Sequence, residues 1–99
     1  MPETITVTMV LVLRPEAVDP FRTSFPVMLQ DTRKFSGFRE IRVLQKADRP
    51  NEVILIEAWD TRADHEAYVA FRTKRGDMAR MAQMLAEPPR LDYWDVTIA

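Results

Sequence analysis

The fold is decided by residues 51–72, which read NEVILIEAWDTRADHEAYVAFR. The run 53–59 is apolar on both faces, which predicts a strand that is covered on both sides. Turn residues occupy 48–51 just before this strand, and Asp60 or Thr61 follows it as a candidate N-cap. The stretch therefore predicts a hairpin, a central strand and a helix that begins directly after the strand.

The flanking segments show the same two kinds of periodicity, two residues for strands and 3.6 for helices. Gly37 is expected at a turn that needs positive φ, and Gly76 is expected to close the second helix. The first predicted elements are a strand over about 4–13 and a helix that is begun by Asp19-Pro20 and kinked or broken at Pro26. Strands over about 38–46 and 53–59 follow, and then a helix to about 75. The last two are a helical segment from Asp77, with Met78, Met81, Ala82 and Leu85 on one face, and a strand in RLDYWDVTI, with Trp94, Val96 and Ile98 on one face.

This β-α-β-β-α-β order within one domain, residues 1–99, predicts a ferredoxin-like α+β fold. Such a fold has an antiparallel four-stranded sheet with both helices on one face. The strand over 53–59 is apolar on both faces, however, so the open face of the sheet also needs a cover. A second copy of the same sheet would supply it, and the sequence therefore predicts a homodimer.

Composition narrows the possible partners. The chain has 14 basic and 15 acidic residues, and this balance gives no basic field for nucleic acid or membrane. It has no cysteine and one histidine, so no metal site is expected. The N-terminal residues lack the pattern of a signal peptide, and no apolar run is long enough to span a bilayer. A cytoplasmic location is the expectation.

Residues 35–68, FSGFREIRVLQKADRPNEVILIEAWDTRADHEAY, resemble the central signature of the antibiotic biosynthesis monooxygenase family of dimeric α+β barrel proteins. The resemblance is carried by Gly37, by the Asp-x-Pro-Asn turn at 48–51 and by Ile-Glu-x-Trp at 56–59. It implies a dimeric barrel and, for some members, cofactor-free oxygenation, in which an electron-rich phenol or quinol is deprotonated and its anion reacts with dioxygen. It also implies a pocket between the open face of the sheet and the helices at its rim.

Three residues are candidates for a catalytic role. Trp59 matches the family tryptophan at the end of the third strand; it is either a stacking wall or hydrogen-bond donor for substrate, or a core aromatic. His65 is either a base that works near neutral pH or an exposed polar residue of the first helical turn. Tyr68 stands where many members carry histidine. Tyr68, His65 and Arg72 share one helical face, which is either a wall of the site or a half-exposed stripe.

The candidates for substrate binding are Trp59, Glu57, Arg72 and Met78. Glu57 lies among apolar residues, so it either pairs with Arg39 or Arg42 across the hairpin or has a raised pKa and acts as a base. Arg72 also begins the basic run 72–75, which is typical of a solvated helix end. Met78 is either core filler or lining of an adaptable apolar pocket.

The leading functional interpretation is a cofactor-independent monooxygenase acting on a quinol, polyphenol or similar small aromatic molecule, with dioxygen as co-substrate. The alternatives are a non-catalytic dimeric domain that binds a small molecule or responds to stress, and an oxygen-independent isomerase. The resemblance also implies that haem-degrading members need an asparagine in the first strand and a histidine in the later helix. Both are absent from the corresponding segments, 4–13 and 76–81, which disfavours haem degradation.

Overall fold

A computed structural model, which describes residues 4–99, has a four-stranded antiparallel sheet whose strands are ordered β2-β3-β1-β4. This order and the helices between the strands confirm the predicted ferredoxin-like α+β fold. The elements are β1 (Ile5–Val12), α1 (Val18–Thr32, preceded by a 3-10 turn at Pro15–Ala17), β2 (Phe38–Gln45), β3 (Glu52–Trp59), α2 (Arg62–Lys74), α3 (Asp77–Ala82) and β4 (Arg90–Trp94). None of the helices within this described range is long and apolar enough to cross a bilayer.

The two faces of the sheet differ in how well they are covered. On β1 and β3 every second residue is buried beneath the helices, as Val7, Leu11 and Trp59 show. The residues between them, such as Val10 and Ile54, point to the other face and are only half-buried. One face is therefore closed by α1–α3, and the other is an open surface with apolar residues.

Helix α1 is continuous through Pro26, so the predicted break into two short pieces is wrong. A proline inside a helix removes one backbone hydrogen bond, but Phe21, Phe25 and Leu29 are all buried on the side that faces the sheet. This packing outweighs the single lost bond. The helix also starts earlier than predicted, with Ala17 as its N-cap, so the Asp19-Pro20 pair lies within the first turn.

The last two elements are shorter than their sequence patterns predict. Strand β4 ends at Trp94, which the register pairs with Thr6 near the start of β1. Val96 and Ile98 continue the alternation but are 80% and 96% exposed. Likewise, α3 ends at Ala82, and the Leu85 that would extend it pairs instead with Leu13 beyond the end of β1, as an isolated bridge.

The junction between β3 and α2 follows the sequence closely. Gly37 has φ of +85°, as predicted, and its carbonyl accepts a hydrogen bond from the Asp60 backbone N–H at 2.8 Å. Thr61 is the N-cap of α2, since its hydroxyl accepts from the Asp64 backbone N–H at 3.1 Å. Helix α2 therefore starts three residues after Trp59 and runs back over β3.

Candidate functional site

The candidate residues converge on a small cavity between the sheet and the helices. Its volume is about 20 Å³, which is room for about one water molecule. The lining is Met9, Ile41, Leu55 and Glu57 from the sheet, Phe25, Met28 and Leu29 from α1, His65, Tyr68 and Val69 from α2, and Met78 and Met81 from α3. The expected pocket at the open face is therefore wrong for these residues: Glu57 shares the phase of buried Leu55, so it faces the helices.

Glu57 is a buried carboxyl group without a cationic partner among residues 4–99. It is 4% exposed, and its Oε1 accepts a hydrogen bond from Trp59 Nε1 at 3.0 Å. Burial raises the pKa of Glu57, and the hydrogen bond from Trp59 opposes that rise only in part. The predicted pairing with Arg39 or Arg42 is wrong, because Arg39 pairs with Asp60 and Arg42 lies exposed on the other face of β2.

His65 is buried rather than exposed in the first turn of α2. It is 1% exposed, and its Nδ1 lies 2.8 Å from Tyr93 Oη. Burial lowers the pKa of His65, with a smaller opposing effect from the Glu66 carboxylate. Burial also raises the pKa of Tyr93. At neutral pH the pair is therefore an uncharged imidazole hydrogen-bonded to an uncharged phenol.

The sheet register explains why Glu57 and the tyrosine partner of His65 occur on the same side. Val7 on β1 pairs with Glu57 on one neighbouring strand and with Tyr93 on the other. The three residues form one row across the sheet, and adjacent strands lie about 4.8 Å apart. Glu57 and Tyr93 are thus about 10 Å apart across Val7, and both face α2, which carries His65.

Trp59 forms the packing behind the cavity rather than its lining. It is fully buried, and its ring centroid lies 5.4 Å from that of His65 and 5.0 Å from that of Tyr68. The ring centroids of Phe35 and Phe38 also lie close to that of Trp59, at 6.2 and 5.5 Å. Trp59 therefore fixes the position of the Glu57 carboxyl group and of both α2 rings.

Arg72 is at the centre of a buried hydrogen-bond network, so its interpretation as part of a solvated helix end is wrong. It is 2% exposed. Its Nε donates to Tyr68 Oη at 3.0 Å, and its Nη2 donates to Thr32 Oγ1 at 3.0 Å and to the Met28 carbonyl at 3.1 Å. Its Nη1 donates to Asp77 Oδ2 at 2.8 Å. One guanidinium therefore joins α1, α2 and the start of α3.

The charges of this network support each other. Burial opposes the charged form of Arg72, but hydrogen bonds to Asp77 and Tyr68 outweigh it and raise the pKa of Arg72. The hydrogen bond from Arg72 in turn lowers the pKa of Asp77. The Tyr68 hydroxyl also lies 2.7 Å from Thr32 Oγ1, so its hydrogen-bonding capacity is used within the network. The Tyr68 ring is the part that lines the cavity.

The structure thus brings Glu57, His65, Tyr68 and Met78 to one cavity, with Trp59 behind Glu57 and Arg72 on the far side of Tyr68. The three residues that share a face of α2 are all buried, so this face is not a half-exposed stripe. Nowhere along residues 4–99 do three His, Cys, Asp or Glu side chains converge in a group that would hold a metal ion.

Three partners were not among the predicted site residues: Tyr93, Thr32 and Asp77. The sequence did carry a signal for two of them, since Tyr93 alternates in phase with Leu91 and Thr32 follows the helical spacing of Leu29. Those patterns place the side chains on the inner faces. They do not reveal that Tyr93 lies opposite His65 or that Thr32 lies opposite Tyr68.

Comparison with known proteins gives one family. The family model described as Antibiotic biosynthesis monooxygenase matches residues 4–76, which confirms the resemblance inferred from residues 35–68. No curated protein sequence gives a significant match.

Solved structures share the fold over nearly the whole chain. A conserved protein from Methanosarcina mazei Go1 aligns with a TM-score of 0.85 and 16% identity, over 96% of this chain and 94% of that one. Rv0793 from Mycobacterium tuberculosis aligns with a TM-score of 0.83 and 20% identity, over 98% of both chains. An antibiotic biosynthesis monooxygenase aligns with a TM-score of 0.83 and 16% identity, over 95% of this chain and 99% of that one.

Proposed function

The chain belongs to the antibiotic biosynthesis monooxygenase family, and from this premise we propose that it is a cofactor-independent monooxygenase acting on a quinol, polyphenol or similar small aromatic substrate. One observation carries the proposal. Among residues 4–99, a buried carboxyl group that no cation pairs with and a buried uncharged imidazole line the same, mainly apolar cavity. Titratable groups whose surroundings shift their pKa values in this way are typical of acid–base sites.

His65 is the proposed base. When its Nδ1–H donates to Tyr93 Oη, the lone pair of Nε2 is left free to accept a proton. Because burial lowers the pKa of His65, the imidazole is in its proton-accepting form at neutral pH. Tyr93 is then a positioning residue that selects the tautomer of His65.

Glu57 and Trp59 are proposed to orient the substrate. Trp59 Nε1 already donates a hydrogen bond to Glu57 Oε1, so Oε2 is the carboxyl oxygen that remains to bind a substrate hydroxyl. Burial raises the pKa of Glu57, so Oε2 is a stronger hydrogen-bond acceptor for the substrate hydroxyl and fixes its orientation beside His65. Tyr68 and Met78 supply apolar walls that exclude water. Arg72 would hold the Tyr68 ring in place from outside the cavity.

The proposed reaction needs no external reductant. For a substrate with a methylene group next to a phenolic ring system, His65 accepts the proton that leaves when the anion forms. The anion transfers its electrons to dioxygen, and a carbon–oxygen bond forms at the former methylene carbon. Loss of water then leaves a carbonyl group, so one oxygen atom enters the substrate and the other leaves as water.

The predicted homodimer is part of the proposal, and the open face of the sheet supports it. Leu44 and Trp94 on this face are 40% and 60% exposed, and Val10 and Ile54 line a shallow apolar depression of about 190 Å³ beside Leu44. A second copy of the same face is the proposed cover. Sedimentation should give a dimeric mass at micromolar concentration, and Ile54→Lys should give a monomer. A monomeric mass for the unchanged chain would contradict the dimer.

Oxygen uptake with anthrones and hydroquinones tests the activity. His65→Gln and Glu57→Gln should each lower kcat by about 10²-fold or more, the usual contribution of a positioned acid or base. Glu87→Gln is the matched control, because it makes the same change as Glu57→Gln at an exposed position that does not line the cavity. The proposal would be refuted if the unchanged protein consumed oxygen no faster than buffer without protein, or if all variants gave equal rates.

Two further measurements on the same compounds, binding affinity and conversion under nitrogen, separate the two alternatives. Tight binding of the aromatic compounds without oxygen uptake would favour a non-catalytic binding domain. Conversion of a substrate under nitrogen would favour an oxygen-independent isomerase.

A further inference from the structure

A groove on the protein surface lies directly outside the cavity. It runs between α1 and α3, has a volume of about 410 Å³, and is lined by Ser24, Phe25, Met28, Asp77, Arg80, Met81, Gln83 and Met84. Three of these residues, Phe25, Met28 and Met81, also line the cavity. The groove and the cavity are thus separated by the thickness of three side chains.

Two of those three side chains are methionines. The unbranched methionine side chain has three rotatable bonds and adapts its shape at little cost. Met28 and Met81 are also only half-buried, whereas Phe25 is 5% exposed and stacks on Phe21 at 4.5 Å. Movement of the two methionines would join the groove to the cavity while Phe25 stays in place.

The helix backbones on either side of this wall are held by Arg72. Its guanidinium binds the Met28 carbonyl on α1 and the Asp77 carboxylate at the start of α3. Opening by separation of the helices would break these buried bonds, and loss of a buried ion pair is expensive. Rotation of the Met28 and Met81 side chains breaks none of them.

The opposite side of α1 offers no comparable route. The groove between α1 and β2, about 340 Å³, shares Phe25, Leu29 and Ile41 with the cavity. Phe25 and Leu29 are each 5% exposed, and both belong to the main hydrophobic core. Their displacement would disrupt the packing that holds α1 on the sheet.

We propose that the α1–α3 groove and the cavity form one two-part binding site for a fused polycyclic phenol, with the side chains of Met28 and Met81 as its movable partition. The proposal rests on the monooxygenase function proposed above and names its substrate class. The reacting ring occupies the space beside Glu57 and His65, and the remaining rings lie in the groove.

The sizes of the two parts support a fused ring system. A single benzene ring needs a cavity of about 150 Å³, and the closed cavity offers about 20 Å³. Entry of even one ring therefore requires the partition to move. The groove is within the roughly 300–1,000 Å³ range of small-molecule sites, so it accommodates the rings that the cavity does not. Gln83 in its lining supplies a hydrogen-bond donor for a distal hydroxyl or carbonyl group, and the Ser24 hydroxyl, which donates to the Pro20 carbonyl, offers an acceptor for a distal hydroxyl group.

The methionines of this region provide matched variants for a test. Met28 and Met81 line both spaces, Met78 lines only the cavity, and Met84 lines only the groove. Isoleucine is close to methionine in volume but is stiff at χ1 because of its β-branch. Met28→Ile and Met81→Ile therefore stiffen the partition. Gln30→Ile also replaces an unbranched side chain by a β-branched one, at an exposed position of α1 that lines neither space.

The experiment is stopped-flow binding of dihydroxyanthraquinone, which is already oxidised and binds without turnover. Met28→Ile and Met81→Ile should slow association by about tenfold if side-chain rotation limits access. Met81→Ala should speed association, and Gln30→Ile should leave the rate within about twofold of the unchanged protein. Far-UV circular dichroism of each variant shows that α1 and α3 are intact.

Two results would overturn the inference: association rates that do not respond to changes at Met28 and Met81, or no binding of dihydroxyanthraquinone by the unchanged protein. Gated binding in a protein that consumes no oxygen would instead refute the monooxygenase proposal alone. The two failures are therefore distinguishable.

Discussion

Replacing Arg72 by methionine tests how much of the stability depends on the buried network. Methionine keeps most of the buried hydrocarbon of the side chain but removes every donor. Tyr68 and Thr32 keep their mutual hydrogen bond at 2.7 Å, and Asp77 keeps an exposed ion pair with Arg80. The loss is therefore expected near the lower end of the 3–5 kcal/mol range for a broken buried pair, about 3 kcal/mol.

A loss of this size is large for a domain of 99 residues. Typical domains are stable by about 5–15 kcal/mol. For 60–100 residues, each kcal/mol corresponds to about 4–8 °C in Tm, so a decrease of at least about 12 °C is expected. Urea unfolding followed by far-UV circular dichroism gives the free energy of unfolding, with all proteins compared at one concentration because association would make stability depend on concentration.

Arg75→Met is the matched control for this change. Arg75 is on the same helix end and also pairs with acidic residues, Asp31 at 3.3 Å and Asp77 at 3.9 Å, but its side chain is 47% exposed. Exposed ion pairs contribute about 0–1 kcal/mol. If Arg72→Met costs less than about 1 kcal/mol, or no more than Arg75→Met, the structural role assigned to the network is wrong.

Three other predictions follow from burial and backbone geometry. The raised pKa of Glu57 means that its carboxyl group binds a proton more tightly in the folded protein than in the unfolded chain. The free energy of unfolding should therefore fall as pH rises from 4.5 through the pKa of Glu57 in the folded protein, and Glu57→Gln should remove this fall in urea titrations. The lowered pKa of His65 means that the free energy of unfolding should fall as pH decreases from 6.5 through the pKa of His65 in the folded protein. Because His65 is the only histidine, NMR titration of its ring should show a midpoint below 6.5 and not at or above it. Gly37→Ala should destabilise the protein more than Gly76→Ala, although both glycines have positive φ. The new Cβ would lie 2.3 Å from the Asp64 carboxylate at Gly37 but no closer than 3.4 Å to any side chain at Gly76, so equal losses in thermal unfolding would contradict this reasoning.

Much of the fold follows from local signals. The period-two pattern of β1, the two-faced apolar run of β3 and the helix start at Thr61 each depend on residues close in sequence. Gly37 was predictable for the same reason, since a tight turn between a helix and a strand requires positive φ. The order of these elements then leaves few possible topologies.

The errors occurred where distant residues decide the outcome. Pro26 should interrupt a helix by its own chemistry, but the burial of Phe25 and Leu29 against the sheet outweighs that effect. Arg72 should be solvated in a basic helix end, but Thr32 and Asp77 surround it with acceptors.

The candidate site was predictable as a set of side chains more than as a place. The spacing of His65 and Tyr68 on one helical face is a local property, and Glu57 shares the phase of Trp59. That His65 binds Tyr93 depends on the neighbouring positions of β1 and β4, which the alternation within β4 does not encode. The size of the cavity depends on side chains from six elements at once, and no sequence pattern carries that information.

The position of β1 in the sheet also determines the order in which the domain is able to fold. Strands β2 and β3 form a hairpin of neighbouring residues, but Val7 must find Glu57 and Tyr93, which lie far along the chain. Contacts between such distant segments slow folding, because a long loop must close before any contact is gained. On a ribosome the β2–β3 hairpin would form early, and β1 would remain an open edge until β4 emerged. The Glu57 and His65 groups would come together with Tyr93 only in that last step, so the site is completed when the sheet is.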